Sequence, residues 1–360
     1  MKTLIVYYEN NTTQTLSYQI GWVSAFKNTN LFDCDFLNLD NFFPFQKKIP
    51  NIQELNDLIF KNYDCIILLH SVFSNSCVVP FYIQKIIRHK KAFKVFFVGN
   101  EYKHMPEKIN FTKYLKINLF ITQSHLQTVI DLYKGNLNIN VEHISNIGID
   151  EKVFFPKIEF NNRKIFAGYR SYLEPLYLGN VERLRLYNFL KKYSTKKNDY
   201  IFDISVDIKD RFSYHEWAQF LNNCKCFVSP NTGTDYFFLN DDLRNRVNES
   251  KLNNFDQIYE KFFKNQKKGT KFRCLTGKVI EPAACKTALI LVEGDYDKFK
   301  PNIHYIPLKQ DYSNMDECLD KLNDNSFSKS IINNSYDLVK AKYLYKHHLI
   351  KLFNIINKII

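Results

Sequence analysis

Long apolar runs are missing from this sequence of 360 residues. No stretch approaches the roughly 18 consecutive apolar residues that a membrane-spanning helix needs, so we expect no transmembrane segment. The opening residues, MKTLIVYYEN, hold an apolar run too short for a secretory signal, and no small-residue cleavage site follows it. These absences predict a cytoplasmic protein, for which peripheral contact with the inner face of an anionic membrane stays open.

Paired cysteines are missing as well. None of the eight cysteines is spaced as CxxC, and Cys224 and Cys226 have no Cys or His cluster nearby that could complete a zinc site. Most of the eight lie in apolar, strand-like contexts. This pattern predicts free, buried thiols in a reducing compartment.

Several signatures of nucleotide and hydrolase sites are also absent. No GxGxxG follows an apolar run, and neither GxSxG nor HExxH occurs. The segment CLTGKV imitates a phosphate loop, but Phe272 stands at its first glycine position and Val279 at its Ser/Thr position. The acidic pair in LNDDLRN lies inside a polar insert rather than directly after a strand. We therefore expect no bound metal and no other cofactor.

What the chain does have is positive charge and aromatic side chains. The formal net charge is +13, and 32 Phe and 23 Tyr contribute to a hydrophobic content of 45%, ample for two cores. The charge implies an anionic partner, either nucleic acid, anionic lipid or a phosphorylated small molecule. Nucleic acid ranks low, because the aromatics lie in strand-like runs without basic residues interleaved on a sheet face.

Apolar runs alternate with amphipathic segments along the whole chain. This alternation is typical of parallel sheets covered by helices on both faces, so we predict two Rossmann-like, doubly wound α/β domains with a ligand cleft between them. The predicted strands are Thr3–Tyr8, Cys65–His70, Lys94–Gly99, Leu119–Gln123 and Val141–Ser145, and then Lys164–Tyr169, Tyr200–Ser205, Cys226–Pro230, Ala288–Val292 and His304–Leu308.

The alternation restarts after Pro156, in a polar stretch that separates the two series. We place the boundary near residue 158, with an acceptor-side domain at 1–158 and a nucleotide-sugar domain at 159–337. Residues 236–270 fit neither series and are expected to form a helical insert. The amphipathic segment 338–360 is expected to pack back on the first domain; a membrane-surface helix is the alternative.

Small and charged residues gather where strands of the second series end. Gly168 and Arg170 are placed just past the first of these strands, where glycine lets backbone approach a ligand and the guanidinium offers two donors to a phosphate. The loop SPNTGTD adds Thr232, Gly233 and Thr234 past the third strand. These positions predict one ligand site along the ends of the strands.

A short helix then begins beside a cluster of cations in GTKFRCLTGKVIE. Lys271, Arg273 and Lys278 precede or open this helix, whose free N–H groups and positive dipole favour an anion. Glu281 is placed in its first turn. The dipole alone would explain a carboxylate there, but a carboxylate beside a diphosphate site is also the group that accepts hydrogen bonds from ribose hydroxyls.

Several segments between about residues 141 and 325 occur in a familiar order. ISNIGIDEKVFFP contains the turn glycine Gly148, and DISVDIKDRFSYHEWAQFLNNCKCFVSP leads through a helix to a strand that ends in proline. KVIEPAACKTALILVEGDYDKF and the following HYIP strand complete the series. Together they resemble the nucleotide-binding domain of GT-B glycosyltransferases, and the chain is most similar to the bacterial surface-polysaccharide branch.

The resemblance implies a two-Rossmann-domain enzyme that takes a sugar from a nucleotide diphosphate donor, with Glu281 on the donor ribose. Two positions depart from the family pattern. Arg273 stands where the large retaining families have a second glutamate, and Lys286 replaces a glycine, so the stereochemical outcome stays open. Gly168, Arg170, Thr232, Gly233, Thr234, Arg273, Lys278 and Glu281 are the predicted donor-binding residues.

The acceptor side would then lie in the first domain. His70 and Glu101 each end a buried strand and are the predicted catalytic bases, with His70 preferred and Glu9 as a weaker third candidate. The predicted activity is metal-independent transfer of a sugar to a hydroxyl of a glycan, glycolipid or protein. A sugar-nucleotide epimerase or phosphorylase, and an inactive GT-B-like binding protein, are the alternatives.

Overall fold

The computed structural model describes residues 1–9, 17–42 and 52–360. Their contacts separate into two compact units. The first comprises residues 1–146, 237–245 and 348–360, and the second comprises residues 147–236 and 246–347. The chain thus changes unit after Asn146, twelve positions before the predicted boundary at 158, and residues 237–245 of the expected insert belong to the first unit.

The first unit is built on a parallel sheet whose strands follow the order β2-β1-β3-β4-β5-β6. Its inner strands are almost wholly buried, as their unbroken apolar sequences predict. The strands are β1 (Lys2–Tyr7), β2 (Asp33–Asn38), β3 (Cys65–Leu68), β4 (Phe93–Phe97), β5 (Leu119–Thr122) and β6 (Asn140–His143).

Helices connect these strands. Trp22 of the first helix is fully buried, packs its ring 5.0 Å from that of Phe97 and donates its indole N–H to the Asn146 carbonyl at 2.8 Å. The helices are α1 (Ser17–Lys27), α2 (Ile52–Phe60), α3 (Phe81–His89), α4 (Met105–Leu115) and α5 (Gln127–Leu137). The sequence predicts the first of these helices over Gln14–Phe26, and the predicted start at Gln14 lies outside the described residues.

The second unit contains a five-stranded sheet of order β13-β12-β9-β7-β8, in which the paired strands run parallel. A separate pair, β10 with β11, forms a two-stranded sheet. The strands are β7 (Ile165–Arg170), β8 (Phe202–Ser205), β9 (Cys224–Ser229), β10 (Gly233–Phe237), β11 (Thr270–Arg273), β12 (Ala288–Val292) and β13 (Ile306–Leu308).

Local caps explain where some of the later helices begin. Ser213 accepts the N–H of Glu216, and the Glu216 carboxylate accepts the N–H of Ser213, so a capping box starts one helix. Asp324 caps another by accepting two N–H groups. The helices are α6 (Glu182–Ser194), α7 (Tyr214–Asn223), α8 (Asp242–Glu249), α9 (Phe255–Ile258), α10 (Gly277–Ala284), α11 (Met315–Asn323), α12 (Asn325–Lys342) and α13 (Tyr345–Ile359).

Each large sheet reverses its strand order at one place. The reversal lies between β1 and β3 in the first unit and between β7 and β9 in the second. Ligands of doubly wound sheets bind at the carboxyl ends of the strands beside such a reversal. The residues after β7 and β9 are therefore the first place to look for a site in the second unit. Within the described residues, no helix is both long and apolar enough to cross a membrane.

Candidate active site

Three cations surround one tyrosine just beyond the carboxyl end of β7. The ring centroid of Tyr172 lies 4.4 Å from the guanidinium carbon of Arg183, 5.5 Å from Nζ of Lys278 and 5.7 Å from the guanidinium carbon of Arg211. The tyrosine itself is 44% exposed. We call Tyr172, Arg183, Arg211 and Lys278 the cation cluster; it lies at the strand end where the sheet order reverses.

Separate elements position the members of the cation cluster. Lys278 is the second residue of α10, and its ammonium donates to Oγ of Ser171 at 2.6 Å. Arg183 lies in the first turn of α6, where Oε1 of Glu174 accepts its backbone N–H at 2.8 Å. Arg211 follows the short turn after β8. The end of β7 and the first turns of α6 and α10 thus bring residues that are far apart in sequence into contact with the ring of Tyr172.

The charge of Lys278 is poorly compensated. Burial lowers the pKa of its ammonium well below the ordinary value of 10.5, and the positive charge of Arg183 lowers it further. Glu174 acts in the opposite direction, but burial also raises the pKa of that carboxyl, which weakens it as a counter-charge. A bound anion would relieve this repulsion, so the cation cluster is suited to a phosphate group.

The predicted ribose ligand, Glu281, lies close by on α10. Its side chain is only 4% exposed, and its Oε2 accepts the indole N–H of Trp217 at 2.7 Å. Because α10 begins at Gly277, the glutamate is the fifth residue of the helix and not a first-turn residue as predicted. Its carboxylate folds back over Gly277, where an added Cβ would come within 2.5 Å of Oε2.

Arg170 and Gly168 lie inside β7 rather than past it, so their predicted placement was wrong. The Arg170 guanidinium pairs with Asp203 and lies 3.5 Å from a carboxylate oxygen of Asp210. These two carboxylates already neutralise it. Gly168 serves packing, since a Cβ there would meet Sγ of Cys224 at 2.6 Å.

The residues predicted around the SPNTGTD loop form a cross-link within the small sheet. Arg273 donates to the Thr234 carbonyl at 2.8 Å and to Asp235 at 2.6 Å, while the Thr234 hydroxyl donates to the Leu178 carbonyl at 2.7 Å. Gly233 has φ +142°, and a Cβ there would lie 2.0 Å from a carbonyl oxygen of β11. These contacts occupy the polar groups that we expected to meet a donor.

Thr232 has a partly exposed side chain, and its carbonyl accepts the N–H of Cys274 at 3.4 Å. No contact of Thr232 with the cation cluster occurs among the contacts of the described residues. Of the eight predicted donor-binding residues, Lys278 joins the cluster directly, and Glu281 follows it three positions later on α10. The donor roles of all eight residues stay predictions.

Both predicted catalytic residues of the first unit are buried. His70 is 1% exposed, and burial lowers the pKa of its imidazole to about 3. Glu101 is 2% exposed and accepts hydrogen bonds from the Thr122 hydroxyl, the Gln123 N–H and the Tyr133 hydroxyl at 2.6, 2.6 and 2.7 Å. Their catalytic assignment stays a prediction that this burial does not favour.

The surroundings of Glu101 explain its charge state. Burial raises its pKa to about 7, although the three hydrogen bonds and Lys108 act against this shift. Lys108 is also buried, and its ammonium donates to the carbonyls of Gly99, Asn100 and Lys103 at 2.6, 2.9 and 2.9 Å. The two side chains fix the loop after β4, which is a structural task.

One group of possible metal ligands occurs among the described residues: His104, Glu107 and Asp241, whose ligand atoms lie within 4.8 Å of one another. Asp241 is already engaged, because its carboxylate accepts the N–H groups of His104 and Met105 and pairs with Arg244 at 2.6 Å. The carboxylate caps α4 and is neutralised by the arginine. These contacts favour a structural role for the group.

Comparison with known proteins identifies the fold. No family model matches the sequence, and no curated protein sequence does either. Among solved structures, this chain is similar to HepE from Anabaena in complex with UDP-glucose. The match covers 99% of this chain and 100% of HepE, with a TM-score of 0.53 and 10% sequence identity. Sucrose-phosphate synthase from Thermosynechococcus elongatus matches over 99% and 98% at 0.52 and 10%. A glycosyltransferase from Rickettsia africae gives the same coverage and TM-score at 12% identity.

The chain has the GT-B fold. Another matching structure, TarM, is longer: this chain covers 54% of it, at a TM-score of 0.49. The GT-B fold confirms the predicted fold class of two Rossmann-like, parallel-sheet domains.

Within this GT-B chain, sequence reasoning missed Tyr172, Arg183 and Arg211. Arg183 and Arg211 lie in polar segments that match no motif, and only the folded chain brings them to one ring. One signal was present: Arg183 stands in the first turn of the helix that follows the first strand of the second unit. That position faces the strand ends in a doubly wound sheet.

Proposed function

We propose that this protein is a glycosyltransferase that binds a nucleoside diphosphate sugar at the second unit and transfers the sugar to a hydroxyl of a glycan, glycolipid or protein. The observation that carries the proposal is the cation cluster at the sheet reversal. The proposal is supported by the GT-B fold and by the UDP-glucose bound in HepE. The three cations suit the negative charge of a diphosphate. The partly exposed ring of Tyr172 holds these cations together and leaves its edge open to the rest of the donor.

The chemical role of the cluster follows from the charge that develops in the reaction. The acceptor hydroxyl gives up its proton to a base, its oxygen forms a bond to the anomeric carbon, and the bond from that carbon to the phosphate oxygen breaks with its electron pair going to the diphosphate. Arg183, Arg211 and Lys278 would stabilise the charge of the departing diphosphate, and the N-terminus of α10 adds its positive dipole. These cations can do the work that a divalent metal does in other enzymes, so we propose metal-independent transfer.

A panel of nucleotides tests the proposal. We expect UDP, GDP, dTDP or ADP to raise the melting temperature of the protein, and we expect the matching nucleotide sugar to release nucleoside diphosphate only when an acceptor hydroxyl is added. EDTA should leave the rate unchanged. Conversion of the sugar without an acceptor would indicate an epimerase instead, and no stabilisation by any nucleotide would indicate an inactive binding protein.

Trp217 provides a second, optical test of the same site. The chain contains only two tryptophans, and Trp22 is fully buried in the first unit. A ribose that binds Glu281 must share or displace the indole hydrogen bond of Trp217. We therefore expect the preferred nucleotide to change the tryptophan fluorescence of the wild type, while Trp217→Phe, which keeps Trp22, should lose that change.

The Glu281 carboxylate itself is tested by Glu281→Gln and Glu281→Ala. Removing the carboxylate that accepts from ribose hydroxyls should weaken nucleotide binding about 10- to 100-fold, since a hydrogen bond to a charged group contributes about 1.5–3 kcal/mol. Inorganic pyrophosphate lacks the ribose and should bind both variants like the wild type. Equal nucleotide affinity in all three proteins, measured by calorimetry, would remove the ribose assignment.

A further inference from the structure

The first unit carries an exposed surface that the proposed transfer does not use. Four of its large hydrophobic side chains stand out in solvent: Phe60 is 77% exposed, Phe81 61%, Tyr82 43% and Ile59 42%. They lie at the end of α2 and the start of α3. We call this surface, with the basic residues of α3 and the turn after it, the basic–aromatic face.

The chain around α3 is purely basic. Residues 80–100 contain Lys85, Arg88, Lys90, Lys91 and Lys94 and no Asp or Glu. A basic helix with exposed aromatic residues is the pattern of helices that lie in the interface of an anionic membrane.

Contacts show that these groups form one surface. The Lys90 ammonium donates to the carbonyls of Ile59 and Lys61 at 2.7 and 2.8 Å, which ties the end of α3 to the end of α2. At the other end of α3, the ring of Phe81 stacks on Tyr114 of α4 with centroids 6.1 Å apart. The exposed apolar side chains therefore lie at both ends of the basic helix.

The positive charge of this face is not neutralised. None of the ion pairs of the described residues involves Lys85, Arg88, Lys90 or Lys91. The acidic groups near the end of α2 pair elsewhere: Asp35 and Asp57 both bind Lys61, at 3.1 and 3.0 Å. The excess charge on α3 thus remains available to an external anion.

We propose that the basic–aromatic face docks the protein on an anionic lipid bilayer. Lys and Arg near such a surface contribute about 1 kcal/mol each, and aromatic side chains favour the boundary between headgroups and acyl chains. A nucleic acid fits less well, because the face combines the aliphatic side chain of Ile59 with aromatic rings, and nucleobases stack only on the rings. The acyl chains of a bilayer bury both kinds of apolar surface.

Sedimentation of the full chain with lipid vesicles tests the docking. We expect binding to phosphatidylcholine vesicles that contain phosphatidylglycerol, little binding to phosphatidylcholine alone, and release at high salt. The double variants Phe60→Ala/Phe81→Ala and Lys85→Glu/Lys91→Glu should each lower the partition coefficient by at least about tenfold. All four side chains are exposed, so the variants should fold, which circular dichroism verifies.

Matched controls make the result specific. Lys191→Glu/Lys192→Glu changes the charge equally on exposed residues of α6, and Ile208→Ala removes an apolar side chain that is 70% exposed. These controls should bind vesicles like the wild type. The docking proposal is overturned if the wild type ignores anionic vesicles, if controls and face variants lose binding alike, or if the face binds only single-stranded DNA. Nucleotide binding in solution is measured separately, so failure here leaves the proposed transfer intact.

Discussion

Lys278→Ala should weaken the binding of a nucleoside diphosphate by about 10- to 100-fold. The estimate follows from the loss of a charge-assisted hydrogen bond to phosphate, which contributes about 1.5–3 kcal/mol, at tenfold per 1.4 kcal/mol. The free energy of unfolding should not decrease. Burial and Arg183 lower the pKa of Lys278, so the folded state bears a cost for holding this charge, and its removal should leave the protein at least as stable.

Calorimetric titration with the preferred nucleotide measures the loss. Lys278→Arg keeps the charge and should restore part of the affinity. Lys271→Ala is the matched control, because Lys271 is an exposed lysine of β11 that lies seven positions earlier and makes no contact with Tyr172 among the contacts described. If Lys278→Ala binds as tightly as the control, the cation cluster is not the diphosphate site.

The affinity should also depend on pH in a definite direction. A bound diphosphate stabilises the ammonium form of Lys278, so binding takes up a proton wherever the free protein holds the lysine neutral. Affinity should therefore rise as the pH falls through the lowered pKa of Lys278. Because the terminal phosphate of the ligand titrates near pH 6, the comparison belongs above about pH 7 and against Lys278→Ala, which binds the same ligand without this lysine.

Most of the sheet framework could be predicted from the sequence. The ten predicted strands all have observed counterparts. Most of them are buried on both faces, and such strands have short, continuous apolar sequences. The strand β2 was missed, since DCDFLN places polar residues along a partly exposed edge strand and forms no apolar run. The short strands β10 and β11 were also missed. Their pairing depends on the ion pair of Arg273 with Asp235 and on the close approach of the β11 backbone to Gly233, which the sequence does not reveal.

The candidate site was harder to predict than the fold. Lys278 could be found because a helix start beside cations has a local signature. The ion pairs of Arg170 with Asp203 and of Arg273 with Asp235 could not be predicted, because these partners cannot be assigned from sequence distance alone. Arg183 and Arg211 reach Tyr172 only through the folding of two helix–strand connections. Net charge alone predicts an anionic partner, but it does not indicate which cations would bind that partner.

The sequence allowed Glu101 to be proposed as a carboxylate with a raised pKa, but it did not reveal the three hydrogen-bond donors that surround this carboxylate. Glu101→Ala should destabilise the first unit by more than about 3 kcal/mol, because it leaves two hydroxyls and the Gln123 N–H without their acceptor. Glu101→Gln should cost much less. The hydroxyls of Thr122 and Tyr133 can rotate to accept from the amide, while the amide oxygen still accepts from Gln123.

The pH dependence separates the charge of Glu101 from its packing. Its pKa rises from 4.5 to about 7 on folding, so the folded state binds the proton more tightly than the unfolded chain. The resulting stability, roughly 3 kcal/mol, is present below pH 4.5 and is lost as the pH rises through about 7. Lys108 does not mask this effect, because its pKa is lowered from 10.5 to about 7 and its contribution changes only above that pH.

Urea unfolding across this pH range should therefore show the wild type losing stability relative to Glu101→Gln as the pH rises from 4.5 towards 7. Parallel profiles for the two proteins would mean that Glu101 stays ionised in the folded state, with its three donors outweighing burial. In that case the carboxylate would be a permanent anion beside Lys108, and the loop after β4 would be held by a buried ion pair rather than by a neutral acid.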